Sequence, residues 1–297
     1  MSVTAGQRFR EAIEGERPLQ VMGVINAYCA RLAERAGFRA IYLSGAGVAN
    51  ASFGLPDLGM TSLNDVLEDA RRITATTCLP LLVDCDTGWG SPLTIARTVR
   101  EMGRAGVAAI HLEDQVDTKR CGHRPGKQLV STDVMVGRLK AAVDARYDSG
   151  ICIMARTDAA AGEGLEAAIE RAARYVEAGA DLIFAEALTE ASHFQKFTKS
   201  IKVPVLANMT EFGRTPLLDV KQLDQLGVRL VLYPLTAFRA MSAAAIHVYE
   251  TVRKEGTQQV LIPELQTRTD LYDVLDYYRF EAKLDREEST SQQENIR

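Results

Sequence analysis

The chain has 297 residues, enough for two small domains or one large α/β barrel, and its formal net charge at pH 7 is -4. Hydrophobic residues make up 46% of it and charged residues 25%, which is the composition of an ordinary soluble globular protein. Because the chain has no excess of positive charge, we do not expect nucleic acid as a partner.

The sequence also argues against a membrane protein and against a disulfide-stabilised one. It has no run of roughly 20 apolar residues, and its charged N-terminus lacks the apolar stretch of a secretory signal. We therefore expect a cytoplasmic protein without membrane association. The five cysteines are an odd number. Because Cys29, Cys78 and Cys152 lie in apolar segments, we expect buried, reduced thiols.

Short runs rich in Val, Ile and Leu alternate along the chain with longer Ala-rich stretches whose apolar residues have helical spacing. The first predicted element is a helix at 1–16. The eight predicted strands are residues 19–25, 40–43, 79–83, 108–112, 151–155, 182–185, 203–207 and 230–233. Glycines that are expected to end the intervening helices stand at Gly37, Gly106, Gly179 and Gly227. A last helix is predicted at 269–285.

Eight strand–helix units in one series predict a (β/α)8 TIM-type barrel with an additional N-terminal helix and C-terminal helices. A doubly wound open sheet is the alternative. We expect one barrel domain with its C-terminal packing helix over residues 1–285, and a polar, disordered tail at 286–297. The apolar face of the helix at 269–285 has little left to pack against on a closed barrel, which favours a homo-oligomer.

Polar residues follow every predicted strand, at the end of a barrel where active sites lie. They are Asn26, Ser44, Asp84 with Asp86, Glu113 with Asp114, Arg156 with Asp158, Glu186, Asn208 with Thr210, and Arg239 in the last unit. Any single one could simply cap the helix that follows it. However, Asp84 and Asp86 place two carboxylates at one strand end, beside Glu113 of the next unit. Such hard oxygen ligands suit magnesium.

Residues 119–127, with the sequence Lys-Arg-Cys-Gly-His-Arg-Pro-Gly-Lys, follow the fourth predicted strand. Cationic residues around a thiol stabilise its thiolate, so we expect Cys121 to exchange a proton near neutral pH. Gly122 and Gly126 would let this segment bend over a ligand. Cys85, which stands between two carboxylates, should by strand alternation face the packed core instead.

Residues 119–123 closely resemble the catalytic loop of the lyase branch of the isocitrate lyase and phosphoenolpyruvate mutase superfamily. Other blocks that resemble this superfamily, in the same order, are residues 44–47, 54–57, 84–88, 111–115, 154–158 and 208–213. The resemblance extends from Gln7 to Leu284. Within the branch, the chain length, the residues 266–268 and Phe184, where isocitrate lyases usually have a larger tryptophan, are similar to the 2-methylisocitrate lyases.

The resemblance implies roles for individual residues. Cys121 would be the catalytic acid, and Asp84 and Asp86 would bind Mg2+, or Mn2+ in its place. The implied substrate-binding residues are Ser44, Gly45, Ala46, Gly122, His123, Arg156, Glu186, Asn208, Met209, Thr210, Arg239 and Arg268. Further candidates for the site are Tyr42, Asp57 and Glu113. The base could be Tyr42, Glu186 or a metal-bound hydroxide.

The resemblance also implies a reaction, the magnesium-dependent cleavage of the small tricarboxylate 2-methylisocitrate to pyruvate and succinate in the methylcitrate cycle of propionate catabolism. Alternatives within the superfamily are an isocitrate lyase and an oxaloacetate decarboxylase-like enzyme, and Cys121 argues against the second. A metabolite-binding barrel without catalysis is an alternative of another class. Because superfamily relatives exchange a C-terminal helix between paired subunits, a homotetramer of paired dimers is implied as well.

Overall fold

The computed structural model describes residues 3–146 and 150–294. Within this part of the chain, eight parallel strands form a closed barrel in sequence order. The strands are β1 Leu19–Gly23, β2 Ala40–Leu43, β3 Leu81–Asp84, β4 Ala109–Glu113, β5 Cys152–Thr157, β6 Leu182–Ala185, β7 Val205–Asn208 and β8 Leu230–Tyr233. Leu19 of β1 pairs with Leu230 of β8, which closes the ring. The predicted (β/α)8 barrel is confirmed, and closure excludes the open sheet.

Helices alternate with the strands and continue beyond them. They are α1 Ala5–Gly15, α2 Ala27–Arg35, α3 Gly45–Gly47, α4 Leu63–Thr74, α5 Pro92–Arg104, α6 Thr132–Asp144, α7 Leu165–Glu177, α8 Ala191–Ser200, α9 Val220–Gln225, α10 Thr236–Glu255, α11 Arg268–Leu275 and α12 Tyr277–Glu294. Shorter helical turns lie at Val48–Ser52, Ala159–Ala161 and Gln259–Glu264. In the part of the chain that the structure describes, no helix is both long and apolar enough to cross a bilayer.

Local signals explain where several helices begin and end. Thr4 and Gln7 form a capping box at the start of α1. Asn26 Oδ1 accepts a hydrogen bond from Cys29 N–H at 2.9 Å, so this strand-end residue caps α2. The predicted helix-ending glycines Gly37, Gly106, Gly179 and Gly227 have φ values of 90°, 78°, 100° and 81°. These left-handed conformations favour glycine and confirm the four predicted helix ends.

Alternation along the strands divides the core into two layers. On β3, Leu82 packs inside the barrel, together with Met154 of β5. Its neighbours Leu81 and Val83 pack in the outer layer between the strands and the helices. Burying each such side chain stabilises the fold by about 1.5–3 kcal/mol. The strands are therefore packed on both faces, which holds the side chains at their C-terminal ends in place.

The chain divides into two compact units, Met1–Arg239 and Ala240–Arg297, and the first contains the barrel. In the second, Asp276 adopts a left-handed conformation with φ 55°, so the region predicted as one helix forms α11 and α12. Helix α12 continues past the predicted end at 285 to Glu294, because charged residues such as Glu287, 3.7 Å from Lys283, are good helix formers. The end of the predicted tail, 295–297, lies outside the described residues, and the predicted domain boundary stays a prediction.

Candidate active site

A cavity at the C-terminal ends of the strands collects most of the residues that the sequence pointed to. The predicted residues that line it are Tyr42, Ser44, Ala46, Asp57, Asp84, Cys121, Gly122, His123, Arg156, Glu186, Asn208, Thr210 and Arg239. Residues that line it but were not assigned to the site are Lys119, Arg120, Phe184, Leu232, Pro234 and Leu235. The apolar members of this second group lie on or just after strands, where alternation into the barrel was the available signal.

Three predicted binding residues have other surroundings. Gly45 N–H donates to Asp84 Oδ2 at 3.0 Å, so it positions a carboxylate. The Met209 side chain packs in the outer hydrophobic core rather than lining the cavity. Its sulfur accepts a hydrogen bond from Leu218 N–H. Arg268 is the first residue of α11 in the second unit and is exposed. Its role in binding stays a prediction.

Asp84 and Asp86, at the end of β3, are both buried. Burial by itself would raise the pKa of Asp84, but the neighbouring His111 and Lys119 outweigh it and lower this pKa to about 2. For Asp86, burial and the charge of Asp84 raise the pKa to about 6. The two carboxylates therefore crowd negative charge into a small volume at one strand end.

Glu113, at the end of β4, adds a third buried carboxyl group. Burial raises its pKa well above the usual range, and its Oε1 has no hydrogen-bond partner among the described residues. An orphaned carboxyl oxygen beside Asp84 and Asp86 fits a divalent cation. In residues 3–146 and 150–294, no group of three or more acidic, histidine or cysteine side chains encloses a metal alone. Such a site suits a metal that completes its shell with water and substrate.

Lys119 connects the catalytic segment to the acidic cluster. Its Nζ lies 2.7 Å from Asp86 Oδ1 and also pairs with Asp57. Burial would lower the pKa of this lysine, but Asp86 and Glu113 raise it above its ordinary value. Lys119 is therefore a fixed cation, and it brings Asp57 into contact with the site.

Tyr42 and His111 form a neutral pair below the carboxylates. The Tyr42 hydroxyl lies 3.0 Å from His111 Nε2 and 3.4 Å from Asp84 Oδ2. Burial raises the pKa of Tyr42 well above its ordinary value and lowers that of His111 to about 4. Both groups are therefore uncharged, and they share one buried hydrogen bond beside Asp84.

Arg156 is a second buried cation of the cavity. Its Nη2 lies 3.8 Å from Glu186 Oε1, and its guanidinium carbon is 5.1 Å from the centre of the Phe184 ring. Burial would lower the pKa of Arg156, but Asp158 and Glu186 raise it. The Glu186 pKa is lowered, despite burial, chiefly by Arg156. A planar, permanently charged guanidinium in this place suits a substrate carboxylate.

The segment with Cys121 lies directly against these groups. A Cβ built on Gly122 would be 2.3 Å from both Arg156 Nη2 and Glu186 Oε1, so only glycine allows this approach. His123 Nε2 lies 2.9 Å from Glu186 Oε1, and its Nδ1 accepts a hydrogen bond from Arg214 N–H at 2.9 Å. Cys121 is thereby placed at the mouth of the cavity.

All five cysteines are free thiols, but they differ in exposure. Cys29, Cys85 and Cys152 are buried, and Cys85 packs in the outer core as alternation predicted. Cys121 is exposed. The expectation that Cys78 is buried is wrong: Cys78 precedes β3, which begins at Leu81, and it is exposed.

The chain is similar along nearly its whole length to enzymes of one kind. A family model described as phosphoenolpyruvate phosphomutase matches residues 9–253. The 2-methylisocitrate lyase of Shewanella oneidensis is 59% identical over 285 residues, which cover 96% of this chain and 98% of that one. The 2-methylisocitrate lyase of Escherichia coli (strain K12) is 57% identical over 281 residues, which cover 94% of this chain and 95% of that one.

Solved structures agree with this similarity. A crystal structure of 2,3-dimethylmalate lyase, a phosphoenolpyruvate mutase and isocitrate lyase superfamily member, has a TM-score of 0.87 and 37% identity, and the match covers 97% of this chain and 96% of that chain. A crystal structure of phosphonopyruvate hydrolase in complex with oxalate and Mg2+ has a TM-score of 0.83 and 30% identity, and the match covers 94% of this chain and 97% of that chain. The chain thus belongs to the 2-methylisocitrate lyase family, carbon–carbon lyases of the phosphoenolpyruvate mutase and isocitrate lyase superfamily.

Proposed function

We propose that this enzyme cleaves 2-methylisocitrate to pyruvate and succinate, with Mg2+ as its metal. The observation that carries the proposal is the position of an exposed thiol, Cys121, beside Gly122, which lies against the buried Arg156. A thiol near a guanidinium and a cluster of carboxylates supplies a proton donor, an anion-binding group and a metal site in one cavity.

Binding of a tricarboxylate requires several cations and donors around the cavity. Arg156 and Arg239 line it, and His123 and Ser44 add hydrogen-bonding groups. Asn208 Nδ2 donates to Glu186 Oε2 at 3.3 Å, while its Oδ1 is buried without a partner among the described residues. These groups would hold the carboxylates and hydroxyl of the substrate in one orientation, which lowers the entropy lost on reaching the transition state.

Asp84 and Asp86 would hold the metal beside Glu113, with water and substrate oxygens completing its shell, and the bound metal would stabilise negative charge on the oxygens of the oxo-acid half. A divalent metal is in keeping with the superfamily. The choice of Mg2+ rests on the hard, oxygen-only donors of this cluster, and Mn2+ shares that preference.

The reaction needs one proton removed and one added. The proton of the substrate hydroxyl goes to a base at the cavity, for which Tyr42 and Glu186, which both line it, are the candidates on this chain. The carbon–carbon bond then breaks, pyruvate forms, and the bond's electron pair remains on the succinate half as an enolate. Arg156 stabilises this charge, and Cys121 donates a proton to the enolate carbon to give succinate. Glu186 also holds His123, whose Nε2 lies 2.9 Å from Glu186 Oε1.

Selectivity for the methyl-bearing substrate over isocitrate rests on the apolar lining. Phe184, Leu232, Pro234 and Leu235 are apolar residues that line the cavity. An apolar surface accommodates a methyl group, and one such group changes discrimination by about 1–3 kcal/mol. The test is to offer the purified protein 2-methylisocitrate or isocitrate with Mg2+ and to measure pyruvate and glyoxylate. Faster release of glyoxylate from isocitrate would contradict this assignment and favour an isocitrate lyase.

Several further expectations belong to the same proposal. A cytoplasmic location, a homotetramer of paired dimers and the participation of Arg268 stay predictions. Inactivity toward both tricarboxylates, with cleavage of oxaloacetate, would favour the decarboxylase-like alternative. Binding of 2-methylisocitrate without any product would favour a metabolite-binding barrel.

A further inference from the structure

The loop 115–129, which carries Cys121, is closed at its base. Gln115 and Leu129 form a β-bridge. The Gln115 side chain also accepts a hydrogen bond from Arg120 N–H at 3.0 Å and donates one to Arg120 O at 2.9 Å. These contacts lie within the loop, so they define its base without fixing its central part, residues 121–126, against the barrel.

Lys127 makes one contact within the loop and one that reaches from the loop to the barrel wall. Its Nζ donates to Gly122 O at 2.6 Å and to Asp158 Oδ1 at 2.7 Å. The Lys127 side chain is 6% exposed and that of Asp158 is 0% exposed. A buried, hydrogen-bonded ion pair of this kind is directional, and removing one partner leaves an unpaired charge.

Asp158 is fixed from several sides. Its N–H donates to Asp114 Oδ1 at 2.9 Å, and Asp114 Oδ2 accepts from Thr157 Oγ1 at 2.8 Å and from Tyr175 on α7 at 2.9 Å. The Asp158 carboxylate in turn accepts from Arg156 Nε at 2.9 Å and Nη2 at 3.2 Å. One rigidly held carboxylate therefore anchors both the loop lysine and the buried guanidinium of the cavity.

We propose that Lys127 is a positioning residue for the proton donor, acting as a latch that joins Gly122 of the loop to Asp158 of the barrel. This inference rests on the proposed function, in which Cys121 protonates the enolate. The Cys121 side chain is exposed, so packing does not place it. Its position follows from the backbone of the adjacent Gly122, whose carbonyl the latch holds. Because Asp158 is shared, the latch also couples loop closure to the orientation of Arg156.

The kinetic test compares Lys127→Met with the matched control Lys140→Met, which removes an exposed lysine of α6. A proton donor displaced by about 1 Å costs up to about 100-fold in rate. We therefore expect Lys127→Met to lower kcat by about 10- to 100-fold, with a much smaller change in KM, and Lys127→Arg to restore most of the loss. Lys140→Met should behave as wild type. A kcat for Lys127→Met within about twofold of wild type would overturn the proposal.

A second readout separates positioning from general stability. Hydrogen–deuterium exchange of peptides from 115–129, measured without substrate, should be faster in Lys127→Met, while exchange in the strands and the melting temperature stay near wild type. Unchanged loop exchange, or equal loss of protection throughout the barrel, would refute the latch. If Lys127→Met does not fold, Lys127→Gln serves in both experiments.

Asp158→Asn tests the shared anchor. We expect it to lower kcat as Lys127→Met does and, because Arg156 also loses its partner, to raise KM as well. The double variant should be less impaired than the sum of the two single effects predicts, since both remove the same contact. Additive losses would refute the pairing. Failure of wild-type protein to release pyruvate from 2-methylisocitrate would instead overturn the proposed function, and loop exchange would still decide whether the latch exists.

Discussion

Gly122 packs so closely on Arg156 that a Cβ at position 122 would lie 2.3 Å from Arg156 Nη2. We therefore expect Gly122→Ala to push the loop away from the cavity and to lower kcat/KM by about 100-fold, with the barrel still folded. The matched control is Gly137→Ala on α6, where a Cβ meets nothing within 4 Å. The control should keep full activity and gain slightly in stability. Steady-state kinetics and circular dichroism of both variants check this, and an active Gly122→Ala would contradict the closed geometry.

Cys121→Ser should bind substrate and fail to turn it over. A hydroxyl preserves size and hydrogen bonding, but it is a far weaker acid than a thiol, so the enolate would not be protonated. We expect kcat to fall by at least about 100-fold, in line with the usual contribution of a general acid. Calorimetric titration with succinate should show affinity near wild type. A Cys121→Ser variant with normal turnover per folded molecule would remove Cys121 from the mechanism.

Alkylation offers an independent check on the same thiol. Cys78 is exposed as well as Cys121, so the experiment uses a Cys78→Ser background in which Cys121 is the exposed cysteine. Iodoacetamide should inactivate this protein in step with modification of Cys121, and succinate with pyruvate should slow both by holding the loop shut. Modification of Cys29 or Cys152 first, with activity lost in step, would contradict the assignment.

Removal of the metal should abolish cleavage reversibly. We expect no activity in EDTA and full recovery with excess Mg2+, because the charge that develops on substrate oxygens needs a cation. Asp84→Asn should bind Mg2+ much more weakly in calorimetry, whereas Asp144→Asn, at an exposed position at the end of α6, should bind it as wild type does. Undiminished cleavage in EDTA would contradict the metal site.

His111 should make the protein less stable in mild acid. Its pKa is about 6.5 when unfolded and about 4 in the fold, because burial disfavours the charged imidazolium. Between these two values only the unfolded state binds the extra proton. Neutral His111 therefore contributes about 3 kcal/mol to the free energy of unfolding above pH 6.5, and this contribution is lost as the pH falls toward 4. Urea unfolding should show that the free energy of unfolding falls less between pH 7 and pH 4.5 for His111→Gln than for wild type. His247→Gln, which alters a half-exposed histidine, is the control.

The barrel could be predicted from sequence because its strands are continuous apolar runs, and β2, β6 and β8 have the bounds that these runs predicted. The site followed from polar residues at the strand ends. Met209 escaped this reasoning, because a residue next to binding positions can turn its side chain into the core. The break at Asp276 escaped it too, since a left-handed residue other than glycine leaves no clear sequence signal.

The contact between Lys127 and Asp158 could not be predicted for a different reason. The two residues are far apart in sequence. Lys127 lies in the segment 119–127 and Asp158 in the segment 154–158, and the roles predicted for these segments fell on other residues, Cys121 and Arg156 among them. Their pairing depends on how far the loop folds back over β5, which the spacing of residues does not determine. Long-range ion pairs of this kind become visible only with the tertiary structure.

The carboxyl oxygen of Glu113 that has no hydrogen-bond partner favours metal binding but lowers thermal stability. The Oε2 of Glu113 lies 3.4 Å from Arg156 Nε, but a buried Oε1 without a hydrogen-bond partner opposes folding, and an amide of the same shape would relieve part of that cost. Glu113→Gln should therefore survive heating better than wild type while binding its metal less tightly. Selection of variants for heat resistance alone would therefore favour replacement of this glutamate, and an enzyme engineered in that way would lose activity as its thermal stability increased.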